Sequence, residues 1–307
     1  MNFYYAYGLQ FESDLFCPEL QPVSDPNAVP DVNIRMIPEE VDAPESDDGD
    51  PEFHVEAGRF RLTIPRIARY DVEQGKRIFI RPRGTASRDE IRLFLMGSAM
   101  GALLYQRGFL PLHGSAVETP WGAMVFAGQQ GAGKSTLAAH LIRRGYRFLS
   151  DDICAMTRTS AGHQVVPAVS HLRLCEDVYR HLGKPTYARF HVDKYVVPIE
   201  GNSPTHSVPV RAIHILSEGP APGPAFEVLR GFERIRQIFE HLYRPEFLHG
   251  QGTEQSLLQS AGQIAAETTM ITASRPRDLM ALEEFIDGLE AFWTKMFSPL
   301  AGKRRSA

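Results

Sequence analysis

One glycine-rich segment, Gly128-Gln-Gln-Gly-Ala-Gly-Lys-Ser-Thr136, constrains the fold of this chain more than any other feature. The apolar run Ala123–Ala127 before it is typical of a strand, and Leu137–Ile142 after it is typical of a helix start. A glycine, four residues and Gly-Lys-Ser between strand and helix form the phosphate-binding P-loop, whose backbone N–H groups and helix N-terminus surround a phosphate. The alternative is an ordinary glycine-rich turn. The order strand, loop, helix favours the P-loop and an α/β fold.

Each residue of this loop is a candidate nucleotide contact. Lys134 is expected to reach the β- and γ-phosphates, and the Ser135 hydroxyl is expected to bind Mg²⁺. The sequence therefore predicts a nucleoside triphosphate and Mg²⁺ as ligands. The predicted contacts are Gly128, Gln129, Gln130, Gly131, Ala132, Gly133, Lys134, Ser135 and Thr136.

Composition narrows the class of protein. Of 307 residues, 43% are hydrophobic and 23% are charged, which is ordinary for a soluble globular protein. The formal net charge of −4 argues against a nucleic-acid partner, and the basic cluster Lys303-Arg304-Arg305 is expected to be a solvated tail. The first residues, Met1–Tyr5, do not resemble a signal peptide, and the apolar stretch Ile91–Leu104 is too short to cross a bilayer. We expect a cytoplasmic protein without a membrane partner.

Residues 1–86 are predicted to form a small β-rich N-terminal domain. No helical period is visible there, and Pro38–Pro51, acidic and rich in proline, is predicted to be an exposed loop. The strand-like pieces are Phe3–Phe11, Val32–Ile37, Phe53–Val55, Phe60–Ile64 and Ile78–Arg81.

A helix over Arg88–Gly108 is expected to link this region to a P-loop domain over 87–307. Ser87 and Glu90 form a capping-box pattern at its start, and its interior is apolar on nearly every side, which indicates burial. Strands are predicted at Leu112–Glu118, Tyr146–Ser150, Ile153–Arg158, Gln164–Pro167, Tyr195–Ile199, Val210–Leu216 and Thr269–Ala273. Helices are predicted from the P-loop to Arg144 and at Cys175–Leu182, Gly231–Leu242, Glu254–Glu267 and Asp278–Met296.

Two adjacent carboxylates, Asp151 and Asp152, end the strand that follows the P-loop helix. In a strand–helix–strand unit both strand ends open on one edge of the sheet, so we expect the pair beside the phosphates. One of the two is predicted to hold Mg²⁺ with Ser135, with Asp152 as the named candidate, and the other to accept the proton of an attacking hydroxyl. The residues alone leave open which aspartate has which role. Repulsion between them is expected to raise the pKa of one. The alternative is an Asp-Asp turn or helix cap.

Three further residues are weaker candidates. His113, one strand before the P-loop strand, could orient an aspartate near the γ-phosphate, although the residues alone favour a hydrogen-bonded structural histidine. Arg173 and Lys194 could neutralise charge on the phosphoryl group, although most Arg and Lys side chains are solvated.

Together these pieces resemble the HPr kinase/phosphorylase-like family of P-loop kinases. The match covers about forty residues: Leu112–Ser115 with its His-Gly, the P-loop, and Arg144–Asp152 with its Asp-Asp. The resemblance implies an α/β kinase domain that uses ATP and Mg²⁺ to phosphorylate a serine hydroxyl. It implies catalytic roles for Asp151, Asp152, His113 and Lys134, and possible homo-oligomers.

The glycine-rich signature by which HPr kinases bind their protein substrate is not found. The N-terminal segment, with Tyr7-Gly8-Leu9 and Cys17-Pro18-Glu19-Leu20, is more similar to stand-alone relatives in peptide-modification gene clusters. The expected acceptor is therefore a serine-type hydroxyl of a peptide or small protein. Three alternatives stay open: a small-molecule hydroxyl kinase, a nucleotide-driven switch or ATPase, and a nucleotide-binding partner protein without catalysis. The switch is disfavoured because no Asn-Lys-x-Asp motif is present.

Overall fold

The N-terminal part of the chain forms one mixed sheet of eight strands. The computed structural model describes residues 1–23, 29–38, 49–168, 171–183, 189–190, 194–199, 204–219 and 226–301. Most of the acidic segment predicted to be a loop and the basic cluster 303–305 lie outside the described residues. The strands are β1 (Asn2–Ala6), β2 (Leu9–Ser13), β3 (Gln21–Pro22), β4 (Val32–Met36), β5 (Glu52–Glu56), β6 (Arg59–Ile64), β7 (Ala68–Glu73) and β8 (Arg77–Pro82).

These strands lie in the order β3-β1-β2-β4-β8-β7-β6-β5. The pairs β2–β4 and β4–β8 are parallel, and the other neighbours are antiparallel. Alternate side chains such as Phe60, Leu62 and Ile64 are buried, as expected for a sheet with one face on a core. Their cluster also contains side chains from residues 110–301, named here the P-loop region after the loop predicted in it, so a domain boundary at residue 86 stays a prediction.

Two strand predictions are wrong in this region. Phe3–Phe11 is a hairpin rather than one strand, because Tyr7 and Gly8 both have left-handed backbone angles and turn the chain between β1 and β2. The strand β7 was missed because its sequence is polar. Its Asp71 is buried and pairs with Arg61, Arg69 and Arg81 on the sheet, an arrangement that no local pattern reveals.

The helix predicted over 88–108 runs from Arg88 to Gln106, with a change of winding inside it. Two α-helical parts, α1 (Arg88–Phe94) and α2 (Met100–Gln106), flank a π-helical turn at Leu95–Ala99. The capping box is present, since the Ser87 hydroxyl accepts from the Glu90 N–H at 3.2 Å and the Glu90 carboxylate accepts from the Ser87 N–H at 2.8 Å. A π turn of this kind inserts one extra residue and often marks a functional site.

The P-loop region follows. Its strands are β9 (Leu110–Thr119), β10 (Gly122–Gly128), β11 (Arg147–Ser150), β12 (Ile153–Thr159), β13 (Gly162–Val165), β14 (His171–Cys175), β15 (Arg189–Phe190), β16 (Lys194–Pro198), β17 (Val208–Glu218), β18 (Phe226–Val228) and β19 (Thr269–Arg275). Its helices are α3 (Lys134–Arg143), α4 (Glu176–His181), α5 (Glu233–Glu240), a 3₁₀ turn at Pro245–Phe247, α6 (Glu254–Glu267) and α7 (Leu279–Ala301). The predicted elements are confirmed here, with ends displaced by a few residues.

The central sheet differs from the simple strand–helix–strand unit expected from the sequence. Strand β9 lies between β10 and β11 and is antiparallel to both, so β10 and β11 run the same way without touching. On the other side of β10, β17 and β19 continue the sheet in parallel. The hairpin β12–β13 links β9 to β17, and β14, β16 and β15 form a separate small sheet.

Both faces of the central sheet are covered. Alternate residues of β10 belong to different hydrophobic clusters: Met124 and Phe126 pack with α3 and α7, whereas Ala123 and Val125 pack with the linking helix, α6 and the N-terminal sheet. Burial on both faces explains why β10 is apolar throughout. The architecture is α/β with several mixed sheets. No helix in the described part of the chain is long and apolar enough to span a membrane.

Candidate active site

The glycine-rich loop connects β10 to α3 in the arrangement that phosphate binding requires. Gly131 and Gly133 both have positive φ, of 86° and 79°, and Gly133 directly precedes the first helical residue. Because no side chain caps this helix start, its first N–H groups point into the loop without a side-chain partner. The loop and helix start can therefore receive an anion.

Lys134 lies folded back on its own loop. Its ammonium group donates hydrogen bonds to the carbonyl oxygens of Gly128 at 2.9 Å and Gln129 at 3.0 Å. Burial lowers the pKa of Lys134 to about 8, against the opposing effect of the two nearby aspartates. Phosphate oxygens would offer this ammonium stronger partners than neutral carbonyls.

Arg275, at the end of β19, contacts the backbone of the glycine-rich loop. It was not predicted as a site residue. Its Nε donates to the Ala132 carbonyl at 2.7 Å, and its Nη1 donates to the Pro276 carbonyl at 2.9 Å. A Cβ atom on Gly133 would lie 2.1 Å from the guanidinium, so a side chain there would displace Arg275, and the φ of 79° independently favours glycine. Arg275 is 143 residues from Ala132 in sequence, and no motif connects the two.

We expect Arg275→Met to weaken ATP binding about 10-fold. The buried Ala132 carbonyl would lose its hydrogen-bond donor, and the loop would lose the side chain that holds it in place. Titration with a fluorescent ATP analogue measures the change. Arg277→Met is the matched control, because that arginine is 83% exposed and pairs with Glu218 at the surface. Equal affinities in the two variants would contradict a supporting role for Arg275.

The carboxylate of Asp151 accepts hydrogen bonds from residues of three elements, β9, α3 and β14. Its Oδ1 accepts from the Ser115 hydroxyl of β9 at 2.6 Å and from the Ser135 hydroxyl of α3 at 2.8 Å. Its Oδ2 accepts from the backbone N–H of Arg173 on β14 at 3.0 Å. The carboxylate is buried and directly joined to the P-loop serine. Ser115 was not predicted as a site residue, although it lies two residues after His113, which was.

Asp152 faces a different set of partners. It has left-handed backbone angles, with φ 68°, where the chain passes from β11 to β12 along β9. His113 Nδ1 lies 3.4 Å from its Oδ1 and 3.2 Å from its backbone oxygen, and Arg173 Nη1 lies 3.7 Å from its Oδ2. The two aspartates therefore have separate environments, one joined to the P-loop and one to His113.

The pKa of Asp152 is lowered, so the expected rise from repulsion between the aspartates is wrong for this residue. Burial acts to raise the pKa, but the hydrogen bond and charge of His113 and the charges of Arg173 and Lys194 outweigh it. Asp152 is therefore ionised at neutral pH. Arg173 and Lys194, both predicted only weakly, lie close enough to act on its charge.

The pairing of β9 explains why these residues meet. Gly114 of β9 pairs with Ala127, near the end of β10, and His113 pairs with Ile153, the first residue of β12. The two aspartates lie between β11 and β12, so β9 brings His113 to the same edge of the sheet as the aspartates and the end of β10. A Cβ atom on Gly114 would lie 2.7 Å from the Phe126 oxygen, so the close approach of β9 and β10 requires glycine there. The aspartates lie at the predicted edge of the sheet. The strand that pairs with β11 is β9, however, and not the loop strand β10.

A cleft opens beside the aspartates. It encloses about 510 Å³ of empty space, part of it open to bulk solvent. Its lining comes from the N-terminal sheet, the linking helix, the segment after β11 and the small sheet: Tyr7, Glu19, Arg92, Leu93, Met96, Gly97, Asp151, Asp152, Ile153, His171, Arg173 and Val196. Burial lowers the pKa of His171 to about 4, so this wall residue is neutral at pH 7.

The described residues contain no group of three or more His, Cys, Asp and Glu side chains placed to hold a metal ion. Mg²⁺ commonly takes only one or two protein oxygens and completes its shell with water and phosphate. The hydroxyl of Ser135 and the carboxylate of Asp151, 2.8 Å apart at the loop, fit that donor set.

Comparison with known proteins gives a similarity of structure and none of sequence. No family model matches this chain, and no curated protein matches it in sequence. Among solved structures, the HPr(Ser) kinase/phosphatase from Coxiella burnetii is 13% identical, with a TM-score of 0.31 over 64% of this chain and 99% of that chain. At this identity and TM-score, the similarity determines neither substrate nor chemistry.

Proposed function

We propose that this protein is an ATP- and Mg²⁺-dependent kinase that transfers the γ-phosphoryl group to a serine-type hydroxyl of a peptide or small protein. The observation that carries the proposal is the separation of the two aspartates. Asp151 bonds to Ser135 of the loop, whereas Asp152 meets His113. Both aspartates line the cleft, but Asp152 is the more exposed of the two. The first arrangement suits the binding of a nucleotide with its metal ion, whereas a second carboxylate on the cleft suits the orientation of an attacking hydroxyl.

The residues divide the work as follows. The N–H groups of the loop and of the start of α3 bind the β- and γ-phosphates, and Lys134 exchanges its carbonyl partners for phosphate oxygens. Ser135 and Asp151 would hold Mg²⁺, a revision of the expected pair Ser135 and Asp152. The bound ion supplies neutralisation of charge on the phosphates.

Asp152 receives the acceptor. Its carboxylate takes the proton of the acceptor hydroxyl as that oxygen bonds to the γ-phosphorus, and the bond from that phosphorus to the bridging oxygen breaks to release ADP. Phosphoryl transfer passes through a loose transition state that asks for little proton abstraction, so a carboxylate of low pKa suffices to orient the hydroxyl. Arg173 and Lys194 neutralise charge on the phosphoryl oxygens.

The direct test is incubation of the protein with γ-labelled ATP, Mg²⁺ and a synthetic peptide mixture with serine at a fixed central position. We expect ADP release and label on peptide. Label on an added polyol instead would favour a small-molecule kinase. Tight ATP binding with no turnover on any acceptor or water would indicate a nucleotide-binding partner protein and would contradict the proposal.

His113→Ala is expected to slow phosphoryl transfer about 10- to 100-fold without weakening ATP binding, because Asp152 would lose the neighbour that orients it. Steady-state kinetics with the peptide mixture and ATP titration measure the two quantities. His163→Ala is the control, since that buried histidine contacts Glu267 on α6. Wild-type kinetics in His113→Ala would contradict a role of His113 in phosphoryl transfer and would indicate that this histidine is structural.

A further inference from the structure

Tyr7 lies at the tip of the β1–β2 hairpin and contributes to the wall of the cleft beside Asp151 and Asp152. It occupies the first central position of a two-residue turn with φ 54°, followed by Gly8 with φ 71°. Turns of this kind favour Asn, Asp or Gly there, and a bulky aromatic residue is strained. Strained backbone conformations cluster at functional sites, so the conformation of Tyr7 suggests a functional role for this residue.

The hairpin tip is docked firmly on the P-loop region. The backbone N–H of Tyr7 donates to the Pro167 carbonyl at 2.8 Å, and a Cβ atom on Gly8 would lie 3.2 Å from the Val166 side chain. Tyr7 itself is 1% exposed. The N-terminal sheet therefore brings the Tyr7 side chain to the site, although Tyr7 and Asp152 are 145 residues apart in sequence.

The hydroxyl of Tyr7 differs from those of comparable buried tyrosines. Tyr4 accepts from the Cys17 N–H at 2.8 Å, and Tyr70 and Tyr105 donate to the Ile91 and Tyr243 carbonyls at 2.9 and 2.8 Å. Within the described residues, the Tyr7 hydroxyl has no hydrogen-bond partner. Buried phenols are almost always hydrogen-bonded, so this one is available to a bound molecule.

The lining of the cleft indicates what that molecule carries. Leu93, Met96 and Val196 offer apolar contacts at the mouth and walls. Arg92 is already paired with Glu19 at 2.9 Å and Asp89 at 2.6 Å, and Arg173 lies by Asp152. Arg92 is thus engaged by carboxylates, and Arg173 is already assigned to the transferring phosphoryl group. The cleft suits an uncharged hydroxyl with apolar flanks better than a phosphorylated or carboxylated metabolite.

We infer that this cleft is the acceptor site and that Tyr7 is a positioning residue whose hydroxyl hydrogen-bonds the acceptor next to Asp152. The inference rests on the proposed kinase function. It makes the N-terminal sheet part of the active site, because a chain without the hairpin would lack one wall of the cleft.

The test compares Tyr7→Phe with Tyr4→Phe in the full-length protein, with the serine peptide mixture as acceptor. Tyr7→Phe is expected to lower kcat/KM for peptide about 10- to 50-fold with an unchanged ATP dissociation constant and an unchanged Tm, because its hydroxyl has no internal partner to lose. Tyr4→Phe leaves the Cys17 N–H unsatisfied, so it is expected to lower the Tm with wild-type kinetics.

A second variant tests the cleft without touching Tyr7. Met96→Trp should fill the half-exposed mouth and raise the KM for peptide more than 10-fold, whereas Leu258→Trp on the exposed surface of α6 should not. Wild-type peptide kinetics in Tyr7→Phe or Met96→Trp would overturn the inference. Absence of ATP binding and turnover in the wild-type protein would instead overturn the proposed function.

Discussion

Asp152→Asn is expected to reduce the rate of phosphoryl transfer to peptide by about 10²- to 10⁴-fold, the range over which a positioned general base contributes. The amide keeps the shape of the side chain, but it lacks the charge that orients the acceptor hydroxyl and cannot take the proton of that hydroxyl. The 28% exposure of Asp152 places this change at the cleft rather than in the core, so the fold should persist. Single-turnover kinetics with γ-labelled ATP measure the rate of transfer.

Two further variants distinguish the role of Asp152 from that of Asp151 and from a general effect of removing a carboxylate. Asp151→Asn should raise the Mg²⁺ concentration needed for half-maximal activity, because Asp151 rather than Asp152 contacts Ser135. Asp287→Asn, an exposed change on α7, should leave the kinetics unchanged. An Asp152→Asn rate within a few-fold of wild type, or a shifted Mg²⁺ dependence in that variant, would contradict the assignment.

The lowered pKa of Asp152 also predicts a pH dependence of stability. A carboxyl group whose pKa falls below its ordinary 3.8 on folding stabilises the folded state above that pH, where the group is ionised in both states. That contribution is lost as the pH falls through the lower pKa of the folded state. Acid unfolding of Asp152→Asn should therefore depend less on pH below 3.8 than that of the wild type.

Lys134→Ala should abolish measurable transfer, with a loss of about 10²-fold or more, because the one buried ammonium of the loop is removed from the phosphates. We expect weaker ATP binding as well, since ground-state contacts to the β-phosphate are lost. Isothermal titration and single-turnover rates give the two effects. Lys295→Ala, on the exposed side of α7, is the control.

The pKa of Lys134, about 8 without ligand, gives this prediction a pH signature. Phosphate favours the charged form, so the pKa rises on binding and ATP binding takes up a proton above pH 8. The ATP dissociation constant should rise with pH above 8 in the wild type and stay flat in Lys134→Arg, whose charge does not titrate there. A flat wild-type profile between pH 7 and 9.5 would count against the buried ammonium as the phosphate contact.

Much of the fold followed from local patterns. The glycine-rich loop, the strand before it and the helix after it were predictable because the positive φ values at Gly131 and Gly133 admit little besides glycine. The capping box at Ser87 and the helical period of α7 are equally local. The hairpin at Tyr7 and the strand β7 were not predictable, since a tyrosine at a left-handed position and a buried Asp71 go against the usual preferences.

The sequence by itself determined the order of the local elements: a glycine-rich loop between β10 and α3, with an aspartate pair at the end of the next strand along the chain. Such information is carried by residues that are neighbours along the chain. Only the tertiary structure decided which aspartate meets Ser135 and which meets His113, because strand β9 inserts between β10 and β11. It also brought Arg275 under the loop and Tyr7 to the cleft. Those contacts join residues about 145 positions apart, and their energies depend on packing that no local pattern encodes.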